Sequence, residues 1–478
     1  MNRPNRIFGR ELSPGQLWRG TIVFLGVLFI AGCAVGPNYT RPDVHAPAVF
    51  RGTSETSTNS FGDLPWWETF HDVALQNLIR MALTNNLDQQ LAYTRVQQAQ
   101  AVAQEARAAL FPAVQYGGLA GRGKNVGANN TPSPTGVSGA IFAADVNASW
   151  EVDLWGRIRR LTEAARAQYF ASQEAQRDVR TSIIAQIAQD YFQLLGFRAQ
   201  LAIARDSTNS FGQSLKIFTQ RLQGGVASRL ETSSAEALLD SAAATIPDLE
   251  RQIALAENQI SILLGQNPGP ILAGDTFLDR QAPPEVPPGI PSALLERRPD
   301  VREAEQQLRS ANAQVGVAKA DFFPQLDLTG LFGTTSTELS ALTSGGSLAW
   351  SIGAGLTGPL FEGGRIKAQY QQALAARRQY ALQYQATVLN ALEEVSDALI
   401  SKDKLAATRV FQSRSVAAYQ EAVKVSMERY KLGNASYYEV LQEQQLLFPE
   451  ENTLVQTEIN QLANIVQLYR ALGGGWQN

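Results

Sequence analysis

The chain carries one design twice, with the second copy 208 positions after the first. Gly156-Arg157-Ile158 recurs as Gly364-Arg365-Ile366. At the same offset Arg221, Gly225, Ala227, Ser228 and Glu231 recur as Arg429, Gly433, Ala435, Ser436 and Glu439. Leu264-Gly265 recurs as Leu472-Gly473, so roughly 110 residues align without a gap. Upstream, Phe111-Pro112 matches Phe323-Pro324 at a spacing of 212, which leaves room for only small insertions. Two copies of this size predict a pseudo-symmetric body in which each half supplies equivalent elements, and the period is too long for a solenoid.

Within each copy the hydrophobic period changes from helical to alternating and back. Apolar residues fall at helical spacing over 74–110, broken by polar Asn85-Asn86, and Phe111-Pro112 ends that helix, because proline lacks an N–H and restricts the residue before it. Val146, Ala148, Trp150, Val152 and Leu154 then share one face of a strand whose other face is polar. Val114 and Tyr116 begin a partner strand; Leu326–Leu331 and Leu348–Phe361 repeat the pair in the second copy. Four strands alone leave two open edges, so the pattern predicts that several chains pool them into a barrel.

Residues 365–432 contain neither glycine nor proline, and residues 157–223 contain no proline. A continuous helix of that length would run roughly 100 Å at 1.5 Å per residue. Its apolar positions step as in a coiled coil: Ile184, Ile187, Tyr191 and Leu194, then Leu392, Val395 and Leu399, and later Val416, Val423, Met427 and Tyr430. Gly225 and Gly433 are placed to close these helices in the left-handed conformation. Ser228-x-x-Glu231 and Ser436-x-x-Glu439 then read as capping boxes that restart a helix at once. The returning helices contain Pro247 and Pro449, where a kink or break is expected, and end at Gly265 and Gly473. A Pro-rich linker over 266–291 joins the first repeat, 72–265, to the second, 292–473; residues 474–478 form a tail.

The N-terminus supplies an address. Arg3, Arg6, Arg10 and Arg19 precede an apolar run over 21–31, too short for a span of roughly 20 residues, and the pattern reads as a signal peptide over 1–32. It ends in Ile30-Ala31-Gly32-Cys33, the form of a bacterial lipoprotein signal, which makes Cys33 the site of acylation. Cys33 is the sole cysteine, which excludes a disulfide within the chain. Residues 33–71 read as an acylated, extended segment. Without residues 1–32 the chain has 37 basic and 43 acidic residues, a net charge of −6, and nothing in it suggests nucleic acid. His45 and His71 are the only histidines and lie outside the aligned stretches. With no P-loop, no G-x-S-x-G and no metal-binding cluster, neither a catalytic nor a metal site is expected.

Several stretches together resemble the TolC-like outer-membrane factors, in particular the lipoprotein branch serving resistance–nodulation–division efflux systems. They are Cys33-Ala34-Val35-Gly36-Pro37-Asn38-Tyr39-Thr40-Arg41-Pro42, Leu294-Leu295-Glu296-Arg297-Arg298-Pro299-Asp300-Val301-Arg302, and the two junctions Asp153–Arg157 and Pro359–Arg365. The resemblance implies a mostly α chain with a transmembrane β-barrel. Three chains would give a 12-stranded barrel, four strands each, continuous with a long periplasmic α-helical barrel. It implies a lipid on Cys33 (N-acyl and S-diacylglycerol), outer-membrane lipid around the strands, and no other cofactor. The expected partners are two further copies, a periplasmic membrane-fusion adaptor and an inner-membrane pump. Gly225, Val226, Ala227, Ser228, Gly433, Asn434, Ala435 and Ser436 would form the periplasmic tip that meets the adaptor, and Tyr438 and Gln442 the constriction. Relatives often carry an acidic residue where this chain has Gln442, with Glu443 beside it. Glu231 and Glu439 are left open between capping and pore roles. The implied function is a passive exit duct that opens at the tip. The cargo is not encoded in any recognisable pocket.

Overall fold

A computed structural model describes residues 34–44, 46–51, 72–126, 137–272, 289 and 291–475. Cys33, His45 and His71 lie outside the described residues, as does most of the linker. Helices α1 (Val73–Asn85) and α2 (Leu87–Ala108) lead into strands β1 (Ala113–Val126) and β2 (Val137–Val152). A 67-residue helix, α3 (Arg157–Gln223), is followed by α4 (Arg229–Leu263). The second copy runs through the short α5 (Leu294–Arg297), α6 (Pro299–Ala320), β3 (Gln325–Ser336), β4 (Leu348–Thr357), α7 (Arg365–Lys431) and α8 (Tyr437–Ala471). The two long helices therefore have equal length. No described helix is long and apolar enough to cross a membrane.

Two compact units emerge, and they do not follow the repeat. One is formed by residues up to Pro42, Gln97–Ala171 and Glu305–Leu382. The other takes Asp43–Val96, Ser172–Ala304 and the chain from Gln383. Each draws on both copies.

The first unit holds one antiparallel sheet in the order β1-β2-β3-β4. Its register aligns Tyr116, Val146, Phe332 and Trp350 across all four strands, and Gly330 with Ile352 beside them. Paired residues share a face, so the apolar positions of both copies form one continuous surface. That surface is uncovered: Tyr116 is 91% exposed, Trp350 69% and Ile352 85%. The opposite face is mainly polar, with Gln115, Asn147, Leu331 and Ser351 in one row and Asp145 in the next. The outer edges of β1 and β4 have no strand partner among the described residues.

In the same unit, residues 34–41 lie along the helices. Val35 donates its N–H to the Trp155 carbonyl (2.9 Å), and the Asn312 side chain donates to the Pro37 carbonyl (2.9 Å). Gly36 packs so closely on Gly316 that a Cβ at Gly36 would lie 2.5 Å from the Gly316 Cα. Arg160 reaches the Val35 carbonyl and the Asn38 side chain, while Arg41 and Tyr39 both donate to Glu305.

The second unit contains the main core: Leu75 and Ile79 of α1, Ile184, Ile187, Tyr191 and Leu194 of α3, Val395 of α7 and Leu468 of α8. The helical stripe is therefore core, as its spacing predicts. Asp72 caps α1 and also accepts from the buried Tyr191 hydroxyl at 2.7 Å. The Arg-Arg-Pro-Asp stretch has a structural role: Pro299 opens α6, and the buried Arg298 binds Asp300, Glu394 at 2.6 Å and the Ala471 carbonyl at 3.1 Å. Pro247 and Pro449 lie inside α4 and α8 without breaking them. Of the two expected outcomes, a kink or a break, the break does not occur: each 35-residue helix continues through its proline.

Gly196 shows how tightly these helices pack. A Cβ there would lie 2.0 Å from the Ile459 Cδ1. Alanine would favour the helix by up to about 1 kcal/mol, but overpacking costs about 1–3 kcal/mol. Gly196→Ala should therefore lower the melting temperature of the extracted protein, and adding Ile459→Ala should recover part of the overpacking penalty. A second test concerns Glu303. Burial, with Asp178, Asp300 and Glu174 nearby, pushes its carboxyl from 4.5 up to about 7. The stability it contributes is fully present below its unfolded pKa and is lost as pH rises through the folded one. Glu303→Gln should flatten the decline in melting temperature between about pH 5 and 8.

Candidate gating and docking turns

The two glycine turns of the second unit are built alike. Gly225 and Gly433 have φ of +75° and +77°, which side-chain-bearing residues rarely adopt. Behind each, a six-residue bond closes the helix: Val226 N–H to the Arg221 carbonyl and Asn434 N–H to the Arg429 carbonyl, both 2.9 Å. Gly225, Val226, Ser228, Gly433, Asn434 and Ser436 are exposed, and Ala227 and Ala435 half-buried. Val226, Leu230 and Leu432 are each at least 69% exposed, an apolar surface at the turns.

Beneath the turns lies a separate small core of Phe218, Ala235, Tyr437, Val440 and Leu441. Tyr437 meets Phe218 edge-on at 4.7 Å and Tyr430 at 4.6 Å. The Tyr437 hydroxyl and the Ser214 hydroxyl share a 2.5 Å hydrogen bond. Gln444 extends that chain, accepting from Ser214 (3.3 Å) and donating to Ser210 (2.8 Å). The polar network joins α3 to α8 through side chains that are well ordered by burial.

The repeat's symmetry fails where charge enters. Ser228 and Glu231 form the full capping box, with the Glu231 carboxylate accepting from the Ser228 N–H at 2.7 Å. The second box does not form: Ser436 caps with its backbone alone. Glu439 instead pairs with Arg429 at 3.0 Å, since that guanidinium offers a charged donor where Ser436 offers a neutral one. The equivalent Arg221 takes another partner, donating to the Tyr430 hydroxyl (2.9 Å) with its guanidinium 5.5 Å from the ring centroid. The residue equivalent to Tyr430 in the first copy is Leu222, which explains why the arrangement occurs once. Sequence reasoning missed Arg221, Arg429 and Tyr430 as a group; the repeat aligns the two arginines, and a Leu222/Tyr430 mismatch beside them was the available signal.

Tyr438 and Gln442 are one turn apart on α8, on the side away from the Tyr437–Leu441–Gln444 contacts. Tyr438 is 60% exposed and Gln442 exposed, with Glu443 half-buried next to it. No group of ligand-type side chains suited to a metal occurs among the described residues.

Comparison with known proteins adds a family. The profile described as outer membrane efflux protein matches residues 78–266 and 290–474. The probable efflux pump outer membrane protein TtgC of Pseudomonas putida is 33% identical over 455 residues, covering 94% of this chain and 93% of TtgC. The probable outer membrane lipoprotein SilC of Salmonella typhimurium is 32% identical over 454 residues, covering 94% and 97%. The solved structure of the outer-membrane channel OprN superposes with a TM-score of 0.85 at 31% identity, covering 93% of this chain and all of that one.

The asymmetry of the two caps is measurable. Ser228→Ala should destabilise the start of α4 by about 1 kcal/mol, seen as faster hydrogen exchange at its first amides. Ser436→Ala should leave the start of α8 unchanged, and an equal effect at both would contradict the assignment of partners.

Proposed function

The chain belongs to the outer membrane efflux protein family, and we propose from that premise how its residues build and gate an exit duct. It is an outer-membrane component of an efflux system. The observation that carries the proposal is the four-stranded sheet with one apolar and one mainly polar face and two edges unpaired among the described residues, followed in the chain by helices of 67 residues. Three copies joined edge to edge would give a closed barrel of twelve strands, the only sheet form that leaves no unpaired edge in lipid. The apolar face would meet lipid and the polar face the lumen. Cys33, acylated as the likeness to a lipoprotein suggests, would anchor each chain.

The Gly225 and Gly433 turns would dock an adaptor through Val226, Leu230 and Leu432, with Ala227, Ser228, Asn434, Ala435 and Ser436 completing the surface. Tyr438 and Gln442 would narrow the lumen. Arg221 with Tyr430 would restrain the α3–α4 hairpin against α7 until an adaptor favours the parted state. Because Gln442 is neutral, selectivity for cations would depend on Glu443 and Glu439 rather than on a ring at 442. Transport is downhill through the duct, with energy supplied by an inner-membrane pump.

Single-channel recording in planar bilayers tests the gate. Arg221→Ala and Tyr430→Phe should each raise conductance or open probability over the unaltered chain, whereas Arg429→Ala should have a smaller effect. Gly433→Pro, which cannot adopt a positive φ, should impair efflux in cells while leaving assembly intact. Unchanged conductance in the Arg221 and Tyr430 variants, or normal efflux with Gly433→Pro, would count against gating at these turns.

A further inference from the structure

In the first unit the repeat makes one seam a template for another. Inside the chain, β2 and the start of α3, from the first copy, meet β3 and α6, from the second. Val146 is paired with Phe332 and Val152 with Leu326. A Cβ on Gly316 of α6 would lie 2.8 Å from the Arg160 Cγ of α3, so the helices touch as well. β4 and α7 are the second copy's counterparts of β2 and α3, and β1 and α2 are the first copy's counterparts of β3 and α6. Within one chain these counterparts cannot meet, because β1 and β4 are the two outer strands of the sheet. Each chain thus carries both halves of a second seam, on opposite edges.

The equivalence is close enough to carry a register. α2 and α6 have 22 residues each and start 212 positions apart, as do β1 and β3. α3 and α7 start 208 apart. Moved by these offsets, the strand partners Ala113 and Ser149 become Gln325 and Thr357, which are partners too. Exposure then shows which half lacks its cover. Arg160, Ala164, Ala167 and Ala171 form a buried row on α3. Ala368, Gln372, Ala375 and Gln379 hold the same places on α7, and all four are exposed.

We propose that a second copy of this chain docks its β1 and α2 on the β4–α7 side in the register of the internal seam. Ala354 then lies opposite the partner's Ala120, as Val146 lies opposite Phe332 within the chain. Leu356 meets the partner's Gly118, and Gly358 meets the partner's Tyr116, so each large side chain of this row faces a glycine. Carried past the end of β4, the register sets Leu360 beside the partner's Val114. Leu356, Leu360, Tyr116 and Val114 are all exposed in the single chain, and this contact covers them together. In the other direction Ile352 comes beside the aliphatic stem of the partner's Arg122. At the helices Ala368 faces the partner's Gln104 where Arg160 faces Gly316, so the bulky residue changes sides. The contact is heterologous, each chain giving one edge and receiving on the other, which lets a ring close. This register rests on closure of the sheet by like copies and specifies the pairs that closure brings together.

Paired cysteines test the register in the full mature chain, oxidised with copper phenanthroline in native membranes, with peptide mapping to identify the bond. Ala354→Cys with Ala120→Cys should link chain to chain. Directly opposed strand residues lie about 4.5–5.5 Å apart at Cα, inside the disulfide range of about 4.4–6.8 Å. Within one chain the two positions are three strand spacings apart, roughly 14 Å, so a bond between them joins two chains. Moving the second cysteine from Ala120 to Gly118 or Arg122 should lower the linked fraction about tenfold, since diagonal neighbours lie ~7–8 Å apart. Ala368→Cys with Gln104→Cys should link as well, and reads the same seam at the helices. All four positions are exposed in the single chain, so these changes should not disturb its folding. Equal or stronger linking of a shifted pair, or a bond mapped between two copies of position 354, would overturn the register. Particle mass, measured on the same variants, separates two failures. Three-chain particles that link at neither pair overturn the register and leave closure standing, whereas single chains overturn closure and the register with it.

Discussion

Backbone hydrogen bonding at the sheet edges governs the rest of this structure. A strand in hydrocarbon has no water to satisfy its N–H and C=O groups, and each unsatisfied group costs several kcal/mol. Among the described residues β1 and β4 each present a free edge, and β4 alone has ten residues. The same sheet exposes Tyr116, Trp350 and Ile352 on one face, which water penalises. Lipid satisfies the face and closure satisfies the edges. A single chain cannot do both, so assembly is built into the strand count.

The helices show how a duplicated sequence acquires a directional function. Equal lengths and matching glycine turns keep the two halves alike in outline. At the turns the halves differ in a few side chains: Tyr430 against Leu222 gives Arg221 a partner, and Glu439 leaves its cap for Arg429. An equilibrium between two arrangements can be biased through such contacts without altering the long helices.

Much of this is legible in the sequence alone. The absence of glycine and proline over 365–432 marks α7, and the two-residue period marks the strands, because both signals are local. Gly225 and Gly433 announce their left-handed turns for the same reason. What escaped depends on distant partners. Ser436-x-x-Glu439 has the form of a capping box, yet Arg429 outcompetes it from the preceding helix. Pro247 and Pro449 leave a kink and a break equally open in the sequence, and the helices continue through both. The seating of Gly36 on Gly316, and of residues 34–41 against Arg160, Glu305 and Asn312, joins segments more than a hundred positions apart and leaves no periodic trace.

The central claim is closure of the sheet by like copies. The mass of the mature protein in detergent, measured after gentle extraction from membranes, tests it directly. Three chains per particle, stable on dilution, is the result this account predicts. A monomer, or an even-numbered assembly, would contradict it, because the free edges of β1 and β4 would then require a different partner.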